Sequence, residues 1–136
     1  MTAEAAVTSQ SVTLPRSFRK IRLELAREKG HPAGSASRGY IIVAPLDQDY
    51  RFDAETWKAH RDACRVVRFR SGEDDDIGHL VHRPGGSWAF RYDIRGDEDD
   101  EAGYHFEQER FEVGEYVSVR EADATHTYRV VSVERL

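Results

Sequence analysis

From Gly78 to the C-terminus, short runs of alternating apolar and polar residues are cut by Gly, Pro and Asp too often for a helix to fit between them. The runs are 78 to 83, 87 to 94, 103 to 110, 115 to 121 and 126 to 134. The separators are Pro84-Gly85-Gly86, the acidic "GDEDDE", "EVGE" and "ADAT". A period of two is that of a half-buried strand. Parallel neighbours would need long crossovers, usually helical, and none is available here. The pattern predicts a mainly β fold (α+β), an antiparallel meander curled into a barrel or folded into two sheets.

The first half adds strands and one helix. "FRKIRLELARE" sets Ile21, Leu23 and Leu25 at alternate positions with Arg22, Glu24 and Ala26 between them, and "RVVRFR" (65 to 70) reads as another strand. "GHPAGSASRG" (30 to 39) reads as a loop, and "YIIVAPL" (40 to 46) as a strand buried on both faces. The total is roughly eight strands. The helix is expected near residues 53 to 64, with Asp53 as N-cap and Ala54, Trp57, Arg61 and Cys64 on one face. A chain of 136 residues is one domain by length, here 17 to 136 behind a flexible tail of 1 to 16.

Composition bounds the function. Apolar residues make up 39%, enough for a core, and the formal charge of -5 argues against a general nucleic-acid binder. The single Cys64 excludes an internal disulfide and a cysteine metal cluster, and fits a reducing compartment. No basic segment followed by an apolar run opens the chain, and no stretch reaches the ~18 apolar residues of a membrane span. The expectation is a cytoplasmic protein with no membrane partner.

The stretch "GHLVHRPGGSWAFRY" (78 to 92) reads as a hairpin. If Arg83 faces Trp88 across the turn, then Val81 faces Phe90 and His79 faces Tyr92. His79, Val81, Trp88, Phe90 and Tyr92 would line the core, with Leu80, His82, Ala89 and Arg91 outside. Histidines three apart in a strand point to opposite faces, and no cysteine completes a ligand set, so no metal site is expected. His79, Trp88 and Tyr92 are the candidate ligand contacts here.

Asp47 and Asp49, after the apolar run 40 to 46, are further candidates. Their D-x-D spacing matches phosphatases and sugar-nucleotide transferases, but those chemistries need a doubly wound parallel sheet, which this pattern lacks. An Asp-rich turn is the plainer reading. Cys64 and His60 are four apart, yet Cys64 sits at a helix C-terminus, where the dipole disfavours a thiolate. The acidic segments 72 to 78 and 96 to 103 read as solvated loops, including 73 to 76 and 97 to 101, and a count from Asp97 fails the calcium-loop pattern. Arg16, Arg19, Lys20 and Arg22, with Arg65, Arg68 and Arg70, make two locally basic strands without a nucleic-acid signature. In the last hairpin a turn at Asp123-Ala124 would oppose Val119 to Tyr128, Val117 to Val130 and Glu121 to His126.

"RGYIIVAPLD", "WKAHRDACRVVRF" and "GEYVSV" together resemble an uncharacterised family of small soluble bacterial proteins, over roughly Ile21 to Val133. The resemblance implies a bacterial soluble protein and no residue role. The residues themselves point to a non-catalytic binding or interaction module for a protein or small-molecule ligand, with no cofactor and no nucleic acid. Its surface would be the open side of the sheet, an exposed edge strand or the barrel mouth. The alternative is a small-ligand enzyme using His79, Tyr92 and an acidic residue in the mouth as acid and base.

Overall fold

Eight strands follow one another around a closed antiparallel barrel in chain order: β1 Phe18–Leu25, β2 Ser35–Pro45, β3 Arg65–Arg70, β4 Asp76–His82, β5 Trp88–Tyr92, β6 Glu101–Tyr104, β7 Tyr116–Arg120 and β8 Thr125–Arg135. β1 pairs with both β2 and β8, which closes the ring. This computed structural model describes residues 13 to 93, 101 to 104 and 106 to 136. The expected tail 1 to 16 (apart from its last four residues), the acidic loop 97 to 101 (apart from Glu101) and His105 lie outside them. Leu14 already packs against the core, so contact with the domain begins before residue 17.

Alternation sets the inside. Ile21, Leu23 and Leu25 of β1 point inward, as do Tyr40, Ile42 and Ala44 of β2 and Val66 of β3. β2 begins at Ser35, inside the expected loop, and its run 40 to 46 is not buried on both faces, since Ile41 and Val43 are half-buried outside. Pairing of Ser35 and Gly39 with β1, and of Arg38 and Gly39 with β3, draws the polar residues 35 to 39 into the strand. Backbone approach is closest at Gly39, where a Cβ would lie 1.8 Å from the Leu23 carbonyl oxygen.

The helix is shorter than expected. Asp53 caps α1 (Ala54–Ala59) by accepting from the Glu55 and Thr56 amides, each at 3.2 Å. A separate 3₁₀ turn then spans Arg61–Ala63. Trp57 is the buried residue of α1, and its indole donates to the Leu80 carbonyl at 2.8 Å. It joins Phe52, Trp88, Phe106 and Phe111 in a plug at the end where β1 begins, with Phe52 and Phe111 stacked at 4.3 Å. Phe106 lies in a turn, because β6 ends at Tyr104 and not at residue 110.

Both hairpin registers differ from expectation. Arg83 pairs with Ser87 around a three-residue loop in which Gly85 and Gly86 have φ of 97° and 95°. His82 therefore faces Trp88, Leu80 faces Phe90 and His79 faces Arg91, a shift of one residue. A shift of one exchanges the faces of β4: Leu80 and His82 point inward, while His79 and Val81 point outward. Trp88, Phe90 and Tyr92 are buried as expected. In the last hairpin the turn is at Ala122-Asp123, closed by Glu121 N–H to Ala124, and Val119 faces His126 while Val117 faces Tyr128. That shift is of two residues, so every inward side chain keeps its face.

Candidate functional site

The two ends of the barrel differ chemically. At the end opposite the aromatic plug, Arg38, Tyr40, Arg68, Arg70, Asp76, Tyr92, Glu101, Glu121 and Tyr128 form one connected network. Glu101 enters because it pairs with Phe90 in register, and Glu121 because it follows the inward phase of Val117 and Val119. Both carboxylates are nearly sealed, at 4% and 6% exposure.

The bonds run in a chain. The Tyr92 hydroxyl donates to Glu101 Oε1 at 2.7 Å. Tyr40 reaches the same oxygen at 2.7 Å and Glu121 Oε2 at 2.8 Å, giving its one hydrogen to either in turn. Tyr128 donates to Glu121 Oε2. Arg68 lies between two carboxylates, donating to Glu101 at 2.6 Å and from Nε to Asp76 at 3.0 Å. Arg38 and Arg70 both donate to Glu121 Oε1, at 2.9 and 2.7 Å. Burial first, and then the charge of Glu101, push the Tyr40 and Tyr92 phenols far above their ordinary range, which keeps them neutral donors. Such a network is stable because each buried charge meets an opposite one and each carboxylate is multiply hydrogen-bonded.

Beside it, His126 bridges two carboxylates. Nδ1 lies 3.1 Å from Glu28 and Nε2 lies 3.1 Å from Asp123. Glu121, Asp123 and His126 are close enough to hold a metal ion. Yet the oxygens of Glu121 serve arginines and tyrosines, and both His126 nitrogens are engaged.

A cleft of about 390 Å³ lies at the rim of the plugged end and runs onto the outer face of the barrel, between the 3₁₀ turn and the β4–β5 hairpin. Trp57, Arg61, His79, His82, Arg83 and Arg91 are among its walls. The His82 ring lies 4.2 Å from Trp88 and 5.8 Å from Trp57, and the Arg61 guanidinium sits 4.9 Å over the Trp57 ring. His79 is held at the edge, with Nε2 3.1 Å from Arg65 and Nδ1 3.1 Å from Asp93. Arg65 can only donate, so Nε2 accepts and Nδ1 carries the hydrogen.

The five candidate residues are thus dispersed. His79 edges the outer cleft, Trp88 lies in the plug behind His82, and Tyr92 belongs to the polar mouth. Asp47 caps its own turn, accepting from the amides of Asp49 at 2.8 Å and Arg51 at 3.0 Å, and Asp49 lies exposed in the same turn. Cys64 is buried, and desolvation pushes its thiol up to about 12, far from a nucleophile. No site role is expected from the sequence for Arg38, Tyr40, Arg68, Arg70, Glu101 or Glu121; Arg68 and Arg70 figure there only as part of a basic strand and Glu121 only as a cross-strand partner of His126. Their signal is phase: Arg68 and Arg70 continue the inward positions from Val66, and Arg38 continues them back from Tyr40 and Ile42.

No protein-family model, no curated protein and no solved structure matches this chain. No helix among the described residues is long and apolar enough to cross a membrane.

Proposed function

We propose that this chain is a non-catalytic binding module that takes a small, planar, anionic ligand in the cleft between the 3₁₀ turn and the β4–β5 hairpin. The observation that carries the reading is the meeting of the Trp57 and His82 rings with the Arg61 guanidinium in one concave space of about 390 Å³. Small-ligand sites are commonly clefts of roughly 300 to 1,000 Å³ with aromatic walls and a few placed polar groups. Stacking on the rings would orient the ligand plane, and the guanidinium would select for negative charge.

The competing surfaces are less suited. Closure of β1 onto β8 leaves no free edge between first and last strands for a peptide to extend. The enzyme alternative draws support from Tyr92 meeting Glu101 in the mouth at 2.7 Å. But His79 stands on the outer face, and a phenol raised by burial and by Glu101 is a poor acid or base near neutral pH.

Both tryptophans of the chain report on this cleft, since Trp57 lines it and Trp88 stacks behind His82. Titration with benzoate and with adenosine monophosphate should change intrinsic fluorescence saturably, while neutral benzamide should act far more weakly. Arg61→Gln should weaken the anions by about tenfold, or about 1.4 kcal/mol. Equal responses to benzoate and benzamide, or an unchanged affinity in Arg61→Gln, would refute the assignment.

A further inference from the structure

We infer that the polar mouth of the barrel holds a second site, an oxyanion seat made by Arg38 and Arg70. The two arginines are direct cross-strand partners on β2 and β3. Like charges directly opposed across a sheet destabilise it unless something neutralises them. Here the neutralising carboxylates are unevenly shared. Arg68 has two carboxylates to itself, Asp76 and Glu101, whereas Arg38 and Arg70 share the single oxygen Oε1 of Glu121. Glu101 stands 4.0 Å from Arg70 but is already bonded to Arg68 at 2.6 Å. Three guanidiniums thus face three carboxylates and the charges balance, but the bonds are unevenly shared, with Arg38 and Arg70 both held by one oxygen of Glu121.

The hydrogen bonds single out the same two side chains. Each guanidinium gives its Nη2 to Glu121, and the Nε of each is buried with no partner. Arg38 also stands within hydrogen-bonding reach of the Tyr128 hydroxyl, so Arg70 is the less engaged of the two. The side chains retain 20% and 27% exposure, so each fork keeps an edge toward the mouth. Two other carboxylates near Glu121 are taken, since His126 holds Glu28 and Asp123.

A guanidinium fork matches the paired oxygens of a carboxylate or phosphate, and two opposed forks can share one such group. The ligand class is a small molecule presenting a carboxylate or phosphate. The seat lies at the opposite end of the barrel from the outer cleft and does not depend on it.

The test is titration of the full chain with acetate, inorganic phosphate and chloride at fixed ionic strength, followed by melting temperature and by the arginine Nε–H resonances. Phosphate, acetate or both should raise the melting temperature saturably and move the Arg38 and Arg70 resonances, with chloride doing neither. The anion that acts names the source. Arg38→Gln and Arg70→Gln should each weaken the effect by about tenfold or more, and Arg19→Gln, at the opposite end of the barrel where β1 begins, should not. Where a glutamine variant fails to fold, Arg38→Lys keeps the charge without the fork and should still lose most of the effect. A chloride response equal to that of the oxyanions, or resonances of Arg38 and Arg70 that stay fixed in the unaltered protein, would overturn the inference.

Discussion

His126 shows how much one inward position can tie together. It sits on β8 in phase with Tyr128 and Val130, and both its nitrogens meet carboxylates, Glu28 from the β1–β2 loop and Asp123 from the last turn. An imidazole bonded to carboxylates at both nitrogens is a donor twice over, which is the charged form. Burial opposes that charge, and the bonds to Glu28 and Asp123 outweigh it, so the pKa of His126 stands above its ordinary value. The linked stabilisation is complete below the unfolded value of about 6.5 and is lost as pH rises through the raised folded value. The melting temperature should therefore fall more in the unaltered protein than in His126→Gln as pH rises above about 6.5. Parallel pH profiles for the two would remove the latch.

At the scale of the element, the two hairpins carry the same lesson with opposite outcomes. The Pro84-Gly85-Gly86 loop has an odd number of residues, and only glycine adopts its two positive φ angles without strain. The one-residue offset this produces exchanges the faces of β4, which is why Leu80 is buried and His79 is not. The final hairpin is offset by two, and its inward set survives intact. β5 is unaffected, because its own alternation of Trp88, Phe90 and Tyr92 leaves no other face to bury. Phe90 lies fully buried, 5.0 Å from Tyr40 and 5.9 Å from Phe106 by ring centres. Phe90→Ala should cost about 3 to 5 kcal/mol in denaturant unfolding. Ile77, 48% exposed on the outer face of β4, is the comparison, and Ile77→Ala should stay within about 0.5 kcal/mol. Similar losses for both would mean that the inner face had been misassigned.

For the whole molecule, the distinctive property is a barrel whose two ends are filled by different physics. Aromatic rings fill one end by area and shape, and a charged network fills the other by pairing. The first kind of filling tolerates trimming in proportion to volume, whereas the second fails abruptly. Removing one carboxylate leaves guanidiniums buried without a counter-charge, a loss of about 3 to 5 kcal/mol. Glu121→Ala should fall in that range, because Arg38, Arg70, Tyr40 and Tyr128 all lose a partner at once. Exposed Glu115→Ala should leave the unfolding midpoint nearly unchanged. A Glu121→Ala protein as stable as the parent would mean that the network is not a structural element of the mouth.

The local pattern alone determined the class of fold. Period-two runs separated by Gly, Pro and Asp, with a single capped helix, leave an antiparallel meander as the simple solution, and the strand count follows from the same runs. It also determined the burial of Trp88, Phe90 and Tyr92, and the opposite facing of His79 and His82, since both follow from parity within one strand. Tertiary structure decided everything that depends on how strands meet. Closure into a barrel, the offset of each hairpin and the joining of residues from β2, β3, β4, β5, β6 and β8, with Glu121 just past β7, into one polar mouth are relations between segments distant in the chain. Arg68 and Glu101 each read as ordinary surface charges within their own segments. They become a buried pair because closure brings inward positions of separate strands within bonding distance, where low dielectric makes each charge require the other.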